Sequence, residues 1–339
     1  MSRSVLVVGG AGYIGSHMVL ALDEAGFDVT TFDNLSTGHR DAVLAGDFVH
    51  GDLADRDALG RLFARRRFDL VMHFAACAYV RESMEDPRKY YRNNVVGCLN
   101  LLDAMLDAGV RRLVFSSSCA TYGVAREVPI TEEHPQAPVN PYGFTKLAIE
   151  RALSDYATAY EFHAVALRYF NAAGADARGR LSERHEPETH LIPLVLREAA
   201  RVRDGGAPLD TRLEVFGTTL ATPDGSCVRD FVHVEDICAA HLAALERLLT
   251  KPQGFEAYNV GTANPASVLD VIAAARRVTG EDVRYRAAPA KAGDPPSLVA
   301  TSTRARETLG WAPRHESLDG IVASAWNAAP FRARHASDA

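Results

Sequence analysis

The stretch PYGFTKLAIE contains the side chains best suited to chemistry, a phenol and an ammonium one helical turn apart. Tyr142 and Lys146 stand at positions i and i+4, so in a helix they lie on one face. Ser118 ends the run VFSSS, which predicts the carboxyl end of a strand, where open α/β sheets build their sites. A positive charge beside the phenol lowers the Tyr142 pKa from about 10 toward neutrality, which predicts a general base. In isolation such a pair is more often a packed helix start with a solvated lysine.

A glycine-rich turn near the amino terminus predicts a dinucleotide site. GGAGYIG places Gly9, Gly12 and Gly15 after an apolar strand and at the start of a helix, where glycines let the backbone approach a pyrophosphate. The spacing is GxxGxxG rather than GxGxxG, so alone it also fits a purely structural turn. Asp33 ends the next predicted strand, where a carboxylate accepts both ribose hydroxyls and repels a 2′-phosphate. We therefore expect NAD rather than NADP.

Two further strand ends extend this cofactor site. The third predicted strand ends in GDL, which places Asp52 and Leu53 at the adenine edge. The fourth ends in HFAA (Phe74 to Ala76), where small residues permit close approach of the diphosphate-ribose. Because the carboxyl ends of parallel strands share one edge of a sheet, four such ends favour a real cofactor site over a structural turn.

The elements that position these residues alternate between short apolar runs and helical patterns, which predicts βαβ units and a doubly wound parallel sheet. The candidate strands are SVLVVGG, DVTTFD, DFVHGD, DLVMHFAA, RRLVFSSS and FHAVALRYFN, and helical patterns fall near 13–26, 55–66, 86–108 and 142–160. After Asn171 the alternation gives way to a polar loop, a helix near 192–203, an isolated strand and a tail with its own helices. The fold we expect is α/β, with a Rossmann-type NAD-binding domain and a smaller interleaved α/β substrate lobe. The first covers 1–175 and about 227–260, the second 176–226 and about 261–339.

Composition narrows the class of protein. At 339 residues the chain exceeds the usual size of one domain. The net charge is −6 with both signs scattered, which argues against nucleic acid as a partner. The five cysteines form no CxxC pair, so we expect reduced thiols and no metal site. The first apolar run is too short for a signal segment or a membrane span, so we expect a cytoplasmic protein that does not bind membranes.

The glycine triplet, the strand-end serine and YxxxK together resemble the extended short-chain dehydrogenase/reductase family. Within it the chain resembles the UDP-glucose 4-epimerases, through blocks that include GGAGYIGSH, FDNLSTGH, YYRNNVVG, FSSSCATYG, LRYFNAAGA, ETHLIP, PDGSCVRDFVHVEDI and LGWAP. The resemblance implies an isomerase of galactose metabolism that reversibly epimerises UDP-glucose and UDP-galactose at C4. Tyr142 would take the 4-hydroxyl proton while C4 gives its hydride to NAD⁺. The transient 4-keto sugar would then rotate within the pocket, and the hydride would return to the opposite face of the sugar.

The resemblance also implies roles for individual residues. Ser118 would bridge Tyr142 and the sugar oxygen, and Lys146 would also bind the nicotinamide ribose, near Asn93. The complete expected cofactor site is Gly9, Gly12, Tyr13, Ile14, Gly15, Asp33, Asn34, Asp52, Leu53, Phe74, Ala75, Ala76, Asn93, Ser116, Tyr142, Lys146 and Tyr169.

The same resemblance implies a UDP-sugar site. Asn171 and Arg229 fall at the diphosphate, where a guanidinium suits bidentate binding. The nucleotide would contact His190 and Leu191 in THLIP, Phe216 at the uracil and Asp294 at the ribose. A homodimer is also implied, paired through the helices near 86–108 and 142–160.

Three positions depart from the family's pattern. Lys291 stands where an arginine is common. Lysine keeps the positive charge but cannot make the bidentate hydrogen bonds of a guanidinium, so we expect weaker binding of the diphosphate. Arg81 replaces a usual glycine in VRES and would face either solvent or the cofactor. Leu298 stands where strict epimerases often carry tyrosine beside the sugar 2-substituent, so a smaller side chain could admit other UDP-sugars.

Four alternative functions follow from these features. The same machinery could act on UDP-N-acetylhexosamines or on UDP-pentoses such as xylose and arabinose. A 4,6-dehydratase would need an Asp–Glu pair after Ser118, where this chain has Cys119 and Ala120. A non-catalytic dinucleotide sensor would usually lose Tyr142 or Lys146, and both are present.

Overall fold

Short strands and helices alternate along the chain, which the computed structural model describes over residues 2–290, 295–328 and 331. The strands are β1 (Ser4–Val8), β2 (Asp28–Asp33), β3 (Asp47–His50), β4 (Leu70–His73), β5 (Arg112–Ser118), β6 (His163–Tyr169), β7 (Asn171–Ala173), β8 (Glu214–Phe216), β9 (Val228–His233), β10 (Phe255–Val260), β11 (Pro265–Ser267), β12 (Arg286–Ala288) and β13 (Ser297–Leu298). The α-helices are α1 (Tyr13–Glu24), α2 (Arg56–Arg65), α3 (Val80–Glu85), α4 (Pro87–Tyr90), α5 (Gly97–Asp107), α6 (Pro141–Tyr160), α7 (Leu191–Arg203), α8 (Val234–Thr250), α9 (Val268–Thr279), α10 (Thr303–Leu309) and α11 (Leu318–Trp326).

A seven-stranded parallel sheet, in the order β3-β2-β1-β4-β5-β6-β10, carries the cofactor end of the molecule. The strand order reverses between β1 and β4, and open α/β sheets bind ligands in the crevice at such a switch point. The glycine turn follows β1 at this point. The sheet confirms the predicted Rossmann-type α/β fold.

Apolar side chains cover both faces of this sheet. Along β1, Val5 and Val7 enter the core cluster on one face, while Leu6 and Val8 enter the cluster on the other. All four are at most 1% exposed. Successive strand residues point to opposite faces, so an unbroken apolar run is what a sheet covered by helices on both sides requires.

A second, smaller sheet begins almost where β6 ends. Its central strand β9 pairs with β11 and β13, and β7 pairs with β9 beside them. Only Phe170 separates the last residue of β6 from the first residue of β7. A short pair, β8 with β12, lies apart from both sheets.

The structure divides the segment that we assigned as a unit to the cofactor domain, about 227–260. β9 belongs to the small sheet, whereas β10 completes the large sheet beside β6. The pattern of a strand followed by a helix is the same for either sheet, so the sequence alone did not separate them.

The predicted helix near 86–108 is interrupted. It consists of α4, a π-helical segment (Tyr91–Val96) and α5, preceded by the unpredicted α3. π-Helical turns are rare and often mark functional positions, and this one carries Asn93. Among the described residues, no helix combines the length and the apolar character needed to cross a membrane.

Candidate active site

Tyr142, Lys146 and Ser118 meet where β5 ends and α6 begins. Asn140 caps α6 by accepting a hydrogen bond from the Gly143 amide (2.8 Å), and Pro141 occupies the first helical turn. Gly143 lets the helix approach the turn that follows β5, because a Cβ there would stand 2.4 Å from the Ala120 carbonyl oxygen. This close approach brings Tyr142 within hydrogen-bonding reach of Ser118.

The phenol is held differently from the expectation. Burial raises the pKa of Tyr142 to about 12, and the hydrogen bond with Ser118 opposes that rise. Lys146 is 2% exposed, and its Nζ donates to the Ser116 carbonyl oxygen at 2.6 Å, 5.8 Å from the centre of the Tyr142 ring. Burial lowers the pKa of Lys146 to about 8. The chain alone therefore does not produce the expected lowering of the Tyr142 pKa, since desolvation outweighs the hydrogen bond with Ser118.

The glycine turn after β1 leaves room for a pyrophosphate. Gly9 has φ +83° and packs on the segment that follows β4, where a Cβ would stand 2.4 Å from the Ala75 nitrogen. A Cβ on Gly15 would stand 2.1 Å from the Gly9 carbonyl oxygen, so this glycine allows the helix to pack on the turn. A Cβ on Gly12 would meet only that carbonyl, at 3.5 Å, and would otherwise project into the cleft. Gly12 caps α1 without a side-chain hydrogen bond, which leaves the first helical amides available to an anion.

Asp33 presents a fixed carboxylate at the end of β2. Its Oδ2 accepts a hydrogen bond from the Ala11 amide (3.0 Å) and its Oδ1 from the Leu35 amide (2.7 Å). The residue is 8% exposed and borders the same cleft as the glycines. Two backbone donors leave the other lone pairs of the carboxylate available for ribose hydroxyls.

One cleft, here called the cofactor cleft, is lined by every residue that we predicted for NAD, from Gly9 to Tyr169. Of the described residues predicted for the UDP-sugar, only Tyr142 and His190 line it. Sequence reasoning missed other lining residues: Ser36, Thr37, Gly38, Cys77, Tyr79, Glu82, Lys89 and His185. The first three lie inside the block FDNLSTGH and could have been found there.

The small sheet brings together three residues predicted for the substrate. Arg229 on β9 stands opposite Leu298 on β13, and Asn171 on β7 stands opposite Phe231 on β9. Nη1 of Arg229 donates to the carbonyl oxygens of Val228 (2.9 Å) and Pro295 (2.8 Å). Its charge also opposes the effect of burial, which raises the pKa of Cys119 to about 12. The Arg229 guanidinium therefore lies near Cys119, the residue that follows Ser118.

The remaining predicted substrate residues are more dispersed. Leu298 is 8% exposed and packs in an apolar cluster with Cys119 and Phe170. His190 caps α7 and Leu191 is its first residue, whereas Phe216 ends β8 in the separate strand pair. Lys291 and Asp294 lie outside the described residues.

Arg81 turns away from the cofactor cleft. Its Nε donates to Oε1 of Glu85 at 3.0 Å in an exposed pair, with 86% of the arginine side chain accessible. Of the two orientations left open from the sequence, the structure shows the solvent-facing one.

A buried ion pair holds α6 against β6 beneath the site. Glu150 on α6 accepts hydrogen bonds from Nη2 (2.6 Å) and Nε (3.0 Å) of Arg168 on β6, and their side chains are 3% and 6% exposed. Arg168 also donates to the Tyr122 hydroxyl at 2.9 Å, and Ser117 on β5 hydrogen-bonds to Glu150. The network links α6, which carries Tyr142, to both β5 and β6. Nothing in the sequence spacing predicts it.

Comparison with known proteins places these features in context. The sequence model of the NAD dependent epimerase/dehydratase family matches residues 5–261. A UDP-glucose 4-epimerase of Lacticaseibacillus casei is 46% identical over 325 residues, which cover 96% of each chain. The crystal structure of UDP-glucose 4-epimerase from Brucella ovis in complex with NAD is 48% identical, with a TM-score of 0.90 over 98% of this chain and 99% of that one. The corresponding enzyme from Bifidobacterium longum, in complex with NAD⁺ and UDP, is 35% identical with a TM-score of 0.89 over 96% and 97%.

Proposed function

This chain belongs to the NAD dependent epimerase/dehydratase family, and from that premise we propose that it is an isomerase that interconverts UDP-glucose and UDP-galactose at C4 with NAD as its cofactor. The observation that carries the proposal is the position of Tyr142 and Lys146 beside the glycine turn in one cleft, with Ser118 hydrogen-bonded to Tyr142. A base, a hydrogen-bond partner for its oxygen and a cation next to a dinucleotide site are the groups that alcohol oxidation requires.

The cofactor cleft fits NAD by its shape and its donors. We assign the pyrophosphate to the turn at Gly9–Gly15, where Gly12 leaves the space above the helix amides clear. Asp33 would hold the adenosine ribose, and Asn93 and Lys146 the nicotinamide ribose. NAD, when bound, supplies the oxidation and re-reduction of C4 together with a positive charge near the phenol.

We assign the proton transfer to Tyr142. The phenolate oxygen of Tyr142 takes the proton of the sugar 4-hydroxyl and later returns it to the sugar O4. A complete turnover therefore leaves the protonation of Tyr142 unchanged. Because burial raises the pKa of Tyr142 to about 12, the phenolate needs stabilisation from charges and donors around it. Ser118 supplies a hydrogen bond, and Lys146, whose pKa is lowered by burial to about 8, still carries its proton at neutral pH for most of the time.

We propose that the UDP-sugar binds between the cofactor cleft and the small sheet. Arg229 is the cation for the diphosphate, since its charge reaches Cys119, next to Ser118. Among the described residues that we assign to the nucleotide, His190 also borders the cofactor cleft. The other residues of this proposed site are Asn171, Leu191, Phe216 and Leu298, with Lys291 and Asp294 beyond the described residues.

Leu298 favours one alternative substrate class. It stands opposite Arg229, and leucine leaves more space than the tyrosine often found beside the sugar 2-substituent. The same machinery would then also epimerise UDP-N-acetylhexosamines. A UDP-pentose would use the same contacts and lack only the group at C5.

A substrate panel tests these proposals. Purified protein is assayed with UDP-galactose, UDP-N-acetylgalactosamine and UDP-arabinose side by side, and its retained NAD is measured after denaturation. We expect the highest kcat/KM with UDP-galactose and about one NAD per chain. Absence of turnover on all three together with absence of NAD would instead identify a non-catalytic protein.

We also propose a cytoplasmic homodimer. The five cysteines are free thiols, which supports a reducing compartment. Apolar side chains stay exposed on the segments that we expect to pair, with Tyr91 39% and Phe144 48% accessible. Their rings meet edge to face at 6.0 Å and form one patch, which a second copy would cover.

A further inference from the structure

Four potential metal ligands converge in the loop that leads into α7. Glu183, His185, Glu188 and His190, here called the 183–190 cluster, each offer one ligand atom, and these atoms lie within 4.8 Å of one another. Nδ1 of His190 is hydrogen-bonded to Oε1 of Glu183. Nδ1 of His185 lies 3.1 Å from the same oxygen and 3.8 Å from Oε1 of Glu188. The four side chains therefore point at a common centre.

The cluster leaves buried polar atoms unpartnered. Glu188 is 8% exposed, and its Oε1 accepts hydrogen bonds from the amides of Thr189 (2.8 Å) and His190 (2.9 Å). Its Oε2 is buried and has no hydrogen-bond partner. Nδ1 of His185 is also buried and makes no hydrogen bond. An unsatisfied buried polar atom is costly, and more so on a charged group, so an unpartnered carboxylate oxygen on a residue of the cluster favours a bound cation.

The surroundings favour order in the cluster. The rings of Tyr13 and Tyr79 pack edge-on against His185, each at 6.2 Å. Glu183 is 9% exposed, and its Oε1 contacts both imidazoles.

We propose that the 183–190 cluster binds one divalent transition-metal ion of the zinc class, through two imidazole nitrogens and two carboxylate oxygens. Zinc takes both ligand types at about 2.0–2.2 Å, which puts ligand atoms about 3.3 Å apart in a tetrahedron. The separations of 3.1 and 3.8 Å lie on either side of that value, and Glu183 and His190, which are hydrogen-bonded to each other, would have to move apart to bind the ion. Calcium and magnesium prefer oxygen ligands throughout, so the two imidazoles argue against them.

The ion would position residues rather than take part in the chemistry. His190 caps α7, and His185 and His190 both line the cofactor cleft. A metal bridge would fix the start of α7 against the cleft wall. The spacing E-x-H-x-x-E-x-H in the sequence could have signalled the site, although no metal was expected from the cysteines.

A second His/Glu group in the described residues, His233, Glu235 and His315, is a weaker candidate. The His233 ring is already committed, because its Nδ1 accepts from the Glu235 amide (3.2 Å) and its Nε2 pairs with the Ser324 hydroxyl (3.0 Å). No comparable carboxylate oxygen is left unpartnered there.

Metal content tests the proposal without reference to turnover. Tag-free protein is equilibrated with Zn²⁺ alone, freed of excess metal, and analysed by inductively coupled plasma mass spectrometry. We expect one zinc per chain, and at least tenfold weaker binding in both His185→Gln and Glu188→Gln. His50→Gln, an exposed histidine outside the cluster, is the matched control and should bind as the parent protein does.

Cobalt(II) binding to the unaltered protein keeps the test decisive if a variant folds poorly, because a tetrahedral site absorbs visible light far more strongly than a hydrated ion. A strong visible band supports the site. Less than one zinc per chain, a cobalt spectrum like that of the hydrated ion, or zinc binding unchanged in both variants would overturn the proposal, and the cluster would then be an imidazolium–carboxylate ion pair. None of these results depends on epimerase activity.

Discussion

Nζ of Lys146 donates its hydrogen bond to the carbonyl oxygen of Ser116, 2.6 Å away at the end of β5. The ammonium is thus fixed to the sheet and also lies 4.9 Å from the centre of the Phe115 ring. Its position does not depend on the protonation of Tyr142. The cation therefore remains in place while the phenol gains and loses a proton.

Tyr142→Phe removes the proposed base. We expect kcat to fall by roughly 10²–10⁴, the usual contribution of general acid–base catalysis, while bound NAD stays near the parent level. Tyr160→Phe is the control, since Tyr160 stands on the same helix with 48% of its surface exposed. Near-full turnover of Tyr142→Phe would contradict the mechanism.

Gly143→Ala tests the approach of α6 to the turn that follows β5. Alanine is the better helix former, but its Cβ would stand 2.4 Å from the Ala120 carbonyl oxygen, so we expect displacement of Tyr142 and a lower kcat. Gly60→Ala provides the contrast, because a Cβ at Gly60 in α2 has no neighbour within 4 Å. That variant should gain about 0.5–1 kcal/mol in the free energy of unfolding and keep its activity. Equal kcat in the two variants would disprove the steric argument.

Glu150→Gln breaks the buried pair with Arg168. Leaving a buried guanidinium without its carboxylate typically costs about 3–5 kcal/mol, and we expect a loss of this size in urea unfolding. Arg81→Ala removes the exposed pair with Glu85 and should change stability by less than about 1 kcal/mol, with NAD binding unaffected. A small effect of Glu150→Gln would mean that Tyr122 and Ser117 suffice to hold the network.

The buried Lys146 predicts a pH dependence of stability in the NAD-free protein. Its folded pKa of about 8 lies below the ordinary value of 10.5, so between these pH values the unfolded chain binds more protons. The free energy of unfolding of the parent protein should therefore rise with pH in this window relative to Lys146→Met, by up to about 3 kcal/mol at about 1.4 kcal/mol per pKa unit. Urea unfolding of both proteins at pH 7 to 10 measures the difference. Parallel profiles would show that Lys146 is not desolvated.

Phe144→Arg tests the proposed dimer. Phe144 is exposed beside Tyr91, and a charge in a buried apolar interface is costly, so we expect the variant to shift toward the monomer in multi-angle light scattering. Val124→Arg, at another exposed apolar position, should leave the mass unchanged. If only the second variant dissociates, the interface lies elsewhere.

The sequence anticipated the cofactor cleft better than the substrate site, for a physical reason. Parallel strands present their carboxyl ends at one edge, so Gly9, Asp33 and Ala75 could be brought together from strand order alone. β9 could not be assigned to its sheet, because the same apolar pattern suits either one. The partnership of Glu150 with Arg168, and the desolvation that raises the Tyr142 pKa, depend on contacts between elements and leave no periodic signal.

The short link between the two sheets limits how the protein can move. A swing of the small sheet against the large one would have to change the torsions of Phe170, which is 7% exposed and packed beside Cys119 and Leu298, and would also strain the connections from β9 through α8 to β10 and from β10 to β11. Such a residue makes a poor hinge, so we expect the distance between cofactor and nucleotide sites to stay constant during turnover. The sugar must present both of its faces to one fixed nicotinamide ring. It would then rotate about its own bonds to the diphosphate, while the protein keeps the two binding sites at a constant distance.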